Sequence, residues 1–115
     1  MKAYPITPVG KPRMTQRDKW KKRPIVQRYY AFKDQVRLHR VSLDYRDNHV
    51  IFVLPMPKSW PKGKRKSFMG THHQQRPDVD NLFKALADCI FKDDSHISDV
   101  RITKIWGNEG AIIIK

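Results

Sequence analysis

Arg76-Pro77-Asp78-Val79-Asp80-Asn81-Leu82-Phe83-Lys84-Ala85-Leu86-Ala87-Asp88-Cys89-Ile90-Phe91 is the stretch on which the fold turns. Leu82, Ala85, Leu86, Cys89 and Ile90 recur at helical spacing, with Lys84 and Asp88 on the other face, so the pattern predicts an amphipathic helix from Asn81 to Phe91. Pro77 disfavours helix at Arg76, which predicts an extended approach to Asp78. In an extended segment, side chains two apart point the same way. Asp78 and Asp80 are then expected to face one side together, with Val79 turned into the core. Two carboxylates that close repel each other unless a cation sits between them.

Downstream, Lys92-Asp93-Asp94-Ser95 reads as a turn. Val100 to Trp106 alternates like a strand, Gly107 to Gly110 reads as a hairpin-like turn, and Ala111 to Ile114 as a last strand. Upstream, Asn48 to Met56 is β-branched and aromatic and predicts a buried strand ended by Pro55 and Pro57. Tyr29, Phe32 and Val36 predict a helix over Tyr29 to Val41. Lys2 to Thr7 reads as a short first strand that fades into the prolines Pro8 and Pro12. Two stretches read as basic loops. Lys11 to Arg28 carries Lys11, Arg13, Arg17, Lys19, Lys21, Lys22, Arg23 and Arg28 around Trp20, and has few residues to bury. Lys58 to Lys66 carries Lys58, Lys62, Lys64, Arg65 and Lys66 around Trp60. The sum is a single α/β (α+β) domain spanning residues 1–115, with about four strands in a mixed sheet and two main helices. A chain of 115 residues holds one core and is too short for two.

Charge narrows the function. Lys and Arg number 24 against 11 Asp and Glu, a formal net charge of +13. Such a chain repels itself, and a polyanion relieves that repulsion while releasing counterions. Nucleic acid is therefore the expected partner, with the two basic stretches and Arg76 holding phosphates without reading sequence. No apolar run approaches ~20 residues, so no membrane-spanning helix is expected, and Met1 to Gly10 lacks the apolar stretch of a signal peptide. A single cysteine, Cys89, permits no intramolecular disulfide and suits a reducing cytoplasm; its apolar neighbours place it in the core.

Against this basic background, six of the 11 acidic residues fall between Asp78 and Asp99. Each has an ordinary reading beside a chemical one. Asp80 suits a helix N-cap, and Asp93 and Asp94 suit a turn. Lys84, four residues after Asp80, suits an i,i+4 ion pair as well as a phosphate contact. Asp88 reads as structural, or as an ion-pair partner of Lys84 or Lys92. His72, His73 and His96 read as polar loop before they read as bases or ligands. Trp20 and Trp60 either stack on unpaired bases or anchor their loops. A helix of this length is about 16 Å long, so its far-end turn cannot by itself return to Asp78. Only closure in three dimensions unites Asp94 with Asp78 and Asp80.

The run Arg76 to Asp88, followed by Lys92-Asp93-Asp94-Ser95-His96-Ile97, resembles the signature of the RusA-like endodeoxyribonucleases, the Holliday-junction resolvases: D-x-D-N-L-x-K, then D-D with a polar and an aliphatic residue. The resemblance covers Arg76 to about Val100 and is looser in the N-terminal half. It implies that Asp78, Asp80 and Asp94 bind metal, that Lys84 is the functional lysine, and that Asn81 is structural or supports the metal ligands. It implies a homodimer acting on DNA four-way junctions in recombination and repair, without a small-molecule cofactor, and often of prophage origin. Mg²⁺ is the implied metal, with Mn²⁺ as a substitute. Mg²⁺ lowers the pKa of a bound water and neutralises charge at phosphorus, and it prefers oxygen ligands on a semi-open face. Two rival readings remain: a structure-selective nuclease of flaps or forks, and a non-catalytic basic nucleic-acid-binding protein.

Overall fold

In the computed structural model, which describes residues 1–13 and 23–115, the chain runs β1 (Lys2–Tyr4), α1 (Pro24–Leu38), β2 (Asn48–Pro55), α2 (Lys62–Phe68), α3 (Val79–Ile90), a 3₁₀ turn (Asp94–His96), β3 (Val100–Gly107) and β4 (Ala111–Ile114). The four strands form one mixed sheet in the order β1-β4-β2-β3. β2 pairs in parallel with β3, from Asn48↔Val100 to Pro55↔Gly107. Its other edge pairs antiparallel with β4, which in turn pairs with β1. The expected α+β domain with a four-stranded mixed sheet is what forms.

Alternation along β2 builds the core. Val50, Phe52 and Leu54 point to one face and meet Ile112 of β4, Phe32 and Val36 of α1, and Leu82, Ala85 and Leu86 of α3. Phe52, Leu82 and Leu86 are fully buried. Truncating a leucine of this kind, as in Leu86→Ala, costs about 2–5 kcal/mol. Cys89 packs half-buried against this cluster, and its thiol donates to the Ala85 carbonyl. Burial pushes the thiol's pKa up, which suits a packing group.

Several expectations are corrected. Gly107 to Gly110 is not a hairpin: β2 lies between β3 and β4, so the chain crosses the end of β2 to reach its other edge. The crossing is tight. A side chain at Gly110 would bring its Cβ within 2.6 Å of Thr7 Cα, a place only glycine fits. α1 begins at Pro24 and ends at Leu38, so the basic loop stops short of Arg28 and the helix short of Val41. Proline suits a helix's first position, since it has no N–H to lose there, and Val26 completes the buried stripe with Tyr29, Phe32 and Val36. The second basic stretch is not all loop: Lys62–Phe68 is helical. It buries no residue of its own, so no apolar period announced it. Lys and Arg are good helix formers, and Pro61 stands at its N-cap. α3 begins at Val79, two residues early. Asp78, not Asp80, is therefore the N-cap residue, and Asp80 lies in the first turn. Val79 is exposed rather than turned inward. No described helix is long and apolar enough to cross a membrane.

Candidate metal and nucleic-acid site

The start of α3 is held by three parts of the chain. Lys104 on β3 shares the core-facing side with Ile102 and Trp106, because Phe52 is its register partner. Its ammonium reaches past the core to donate to the carbonyls of Gln75 and, at 2.8 Å, of Pro77. The segment before them lies along the free edge of β3. Gly70 N–H donates to Trp106 O at 2.9 Å, Trp106 N–H to Thr71 O at 3.0 Å, and His73 N–H to Lys104 O at 2.9 Å. On the other side, Lys11 N–H donates to Asn81 O, and Gly10 lies so close that a Cβ there would stand 3.1 Å from Pro77 Cβ. These contacts fix where the chain delivers Asp78 and Asp80. The Arg76–Pro77 peptide is cis.

Asp78 is extended, with ψ 151°, and its side chain makes no capping bond. Both aspartates are exposed. The N-terminus of α3, with its unsatisfied amides, leaves room for anions here. Beside them, Arg76, Pro77, Asp78 and Asn81 line a hollow of about 300 Å³. It adjoins a cleft of about 440 Å³ bounded by Pro8, Lys11, Ile25, Arg28, Arg76 and Asn81. The donor chemistry fits a hard divalent cation: carboxylate oxygens, unengaged and open to water, with basic groups around them.

Asp94 lies elsewhere in the chain. α3 is 12 residues, about 18 Å long. Beyond its end the turn is tied to the loop before β2: Ser98 N–H donates to Tyr45 O at 2.7 Å, and the Tyr45 ring meets those of Phe91 and His96, each at 5.7 Å. That loop adjoins the first residues of β2 and β3, whereas Pro77, just before Asp78, is held by Lys104 in the second half of β3. Among the described residues, no three His, Cys, Asp or Glu side chains come together as a cation site. Asp93 has local work: its carboxylate accepts from Ser95 N–H at 3.0 Å, and the Ser95 side-chain hydrogen bond, then this backbone one, holds its pKa below the ordinary carboxylate value. Asp99 accepts from Asp47 N–H at 3.2 Å.

Other predicted residues sort as follows. Lys84 is exposed one turn beyond Asp80. Asp88 pairs with Lys11, not with Lys84 or Lys92, so the Lys11 ammonium is engaged within the fold. Arg65 donates to Pro57 O and Asn108 Oδ1. Lys58, Lys62, Lys64, Lys66, Arg13, Arg23 and Arg76 are exposed; Lys64 lies 4.2 Å over the Trp60 ring. Arg17, Lys19, Trp20, Lys21 and Lys22 lie outside the described residues. His72 and His96 are exposed. His73 is buried, its ring 4.0 Å from that of Trp106. Burial, then the nearby Lys104, pushes its pKa down. Lys104, His73 and Trp106 support the site without belonging to any motif in the sequence. A lysine on the inward face of an alternating strand is the signal that points to the first.

The family described as endodeoxyribonuclease RusA matches residues 5–115. The chain belongs to the RusA endodeoxyribonuclease family. The match takes in the N-terminal half, where the sequence resemblance is loose, and the whole of the α3 region. Among curated proteins, the chain is 36% identical over 63 residues to the uncharacterized protein YqaN of Bacillus subtilis (strain 168). That match covers 48% of this chain and 44% of YqaN, so it spans less than half of either. No solved structure matches.

Proposed function

We propose that this RusA-family chain is a Mg²⁺-dependent endodeoxyribonuclease that resolves four-way DNA junctions as a homodimer. The observation that carries the reading is the pair Asp78 and Asp80, exposed and uncapped at a braced helix start in a protein of net charge +13. Bound Mg²⁺, or Mn²⁺ in its place, would supply an activated water and neutralise charge on phosphorus. Asp78 and Asp80 would hold the ion through oxygen. Lys84, one turn on, would meet the phosphate from the same helix face. Arg76 and the exposed lysines near α2 would hold the flanking backbone.

Asp94 would complete the donor set from a second copy, because α3 and the Tyr45 contacts keep it away from Asp78 within one chain. A two-fold pair also matches the near two-fold symmetry of a junction and presents two identical sites. Such a pair has apolar surface to cover. Ile51, Ile105 and Ile113 lie half-buried on the sheet face that does not join the helix-covered core.

The test is Mg²⁺ titration with labelled four-way junction, duplex and flap DNA. Paired nicks in the junction, dependent on Mg²⁺ and absent from duplex, are expected. Preferred cutting of flaps would move the assignment to the structure-selective reading. Retention of the junction without any cutting would make the protein a binder only.

A further inference from the structure

Phe68 and Met69, at the end of α2, are 39% and 44% exposed. Phe68 is the last residue of the most basic described helix, Lys62-Gly63-Lys64-Arg65-Lys66-Ser67-Phe68, and Met69 is its C-cap. Contiguous exposed apolar surface rimmed by polar groups is one mark of an interaction site. The pair's support is rigid. Behind Phe68 lies Trp60 at 5.3 Å between ring centres; behind Trp60 lies Trp106 at 4.8 Å, and behind Trp106 lies His73 at 4.0 Å. Arg65 locks the helix to Pro57 and Asn108. Gly70, at φ 76°, turns the chain immediately after Met69 and bonds to Trp106 O. Phe68 therefore caps a stack of rings that ends in the buried Trp106 and His73, with Met69 next to it in the chain. The pair lies at the same end of the sheet as Asp78, reached through the Gly70–His73 edge segment.

We propose that Phe68 and Met69 form a wedge that enters the unstacked base step at a DNA branch point, with Lys58, Lys62 and Lys66 on the phosphates beside it. Charge complementarity selects DNA as the occupant, since Lys58, Lys62, Lys64, Lys66 and Ser67 are exposed around the pair and no acid lies between Pro55 and Arg76. Phe and Met are among the apolar side chains that pry base steps apart. A base step inside continuous duplex must be unstacked first, whereas a branch point is already open. The wedge therefore discriminates branched from continuous DNA at the level of binding. The inference rests on the DNA-junction reading, but not on cleavage.

The test uses the full chain in EDTA, so that nothing is cut, with 2-aminopurine placed beside the branch point of a junction and at the matching step of a duplex. Wild-type protein is expected to raise the junction fluorescence about twofold or more and to leave the duplex unchanged. Phe68→Ala combined with Met69→Ala is expected to abolish the rise and to weaken junction binding about tenfold, with duplex binding within about twofold of wild type. Phe68→Leu with Met69→Leu keeps an apolar wedge and is expected to retain both properties. Junction binding without a fluorescence change, or an alanine variant with undiminished preference, overturns the wedge. Unstacking by a protein that then fails to cut in Mg²⁺ leaves the wedge standing and overturns the resolvase reading.

Discussion

At the start of α3, two carboxylates stand in the open, and the surrounding chain spends its contacts on holding the backbone beneath them. At the other end, two of the three acids are used locally: Asp93 caps the 3₁₀ turn and Asp99 binds Asp47 N–H across to the loop before β2, while Asp94 between them makes no such bond. The same helix thus has one end braced to present charge and one end where charge braces the chain. An acidic cluster in a sequence does not say which of these an aspartate does. The partners of its oxygens do.

The largest expected effect breaks the first end. Asp78→Asn or Asp80→Asn removes a donor and should lower junction cleavage by at least ~10²-fold. Junction binding should hold or tighten in a gel-shift assay, since less negative charge faces phosphate. Loss of the circular dichroism signal with the cleavage would mean that these aspartates are structural caps. Asp99→Asn at the other end should leave cleavage near wild type and lower the melting temperature instead.

A smaller effect is expected from the brace. Lys104→Met leaves the Gln75 and Pro77 carbonyls without their donor and loosens the delivery of Asp78. We expect cleavage to fall about tenfold, with junction binding little changed, because misplacement by about 1 Å costs that much or more. A Lys104→Met enzyme with full activity would show that the edge segment and Gly10 suffice to place the site.

The ring stack behind α2 gives a pH signature. His73 has its pKa lowered in the fold, so the folded state resists binding a proton that the unfolded chain takes up. Its contribution is present above the unfolded value near 6.5 and is lost as pH falls from there through the folded value. Wild type should melt at falling temperatures across that window, and His73→Phe, which keeps a ring against Trp106, should flatten the slope. The smallest effect is expected at Lys11–Asp88. Both side chains are partly exposed, at 36% and 27%, so Asp88→Asn should cost at most about 1 kcal/mol by urea unfolding.

Much of this was legible in the sequence. The stripe Leu82-Ala85-Leu86 and the β-branched run of β2 bury the surfaces their periods predict, and family membership followed from Asp78 to Lys84 and the acid pair after it. What was illegible has physical causes. α2 buries nothing, so periodicity could not see it. The β3–β4 connection has glycines at both ends, like a hairpin, but strand order is decided by the appetite of β2 for partners on both edges. Asp78 and Asp80 do not share an extended segment, because α3 begins at Val79 and puts Asp80 in its first turn. Asp94 enters the donor set through resemblance, and nothing in a linear sequence says which copy of the chain supplies a ligand.

The shared site is the central claim, and mixing two inactive proteins tests it most directly. Asp78→Asn and Asp94→Asn chains are each expected to be inactive alone. Unfolded together and refolded in equal amounts, half the dimers would be mixed. In a mixed dimer, one site would carry both substitutions, and the other would hold Asp78 from one chain and Asp94 from its partner, both intact. Mg²⁺-dependent nicking of the junction should therefore return to about a quarter of the wild-type rate, as single nicks rather than paired ones. If each site were built within one chain, every site in the mixture would lack a ligand. Persistent inactivity of a mixture shown to contain mixed dimers would contradict the account.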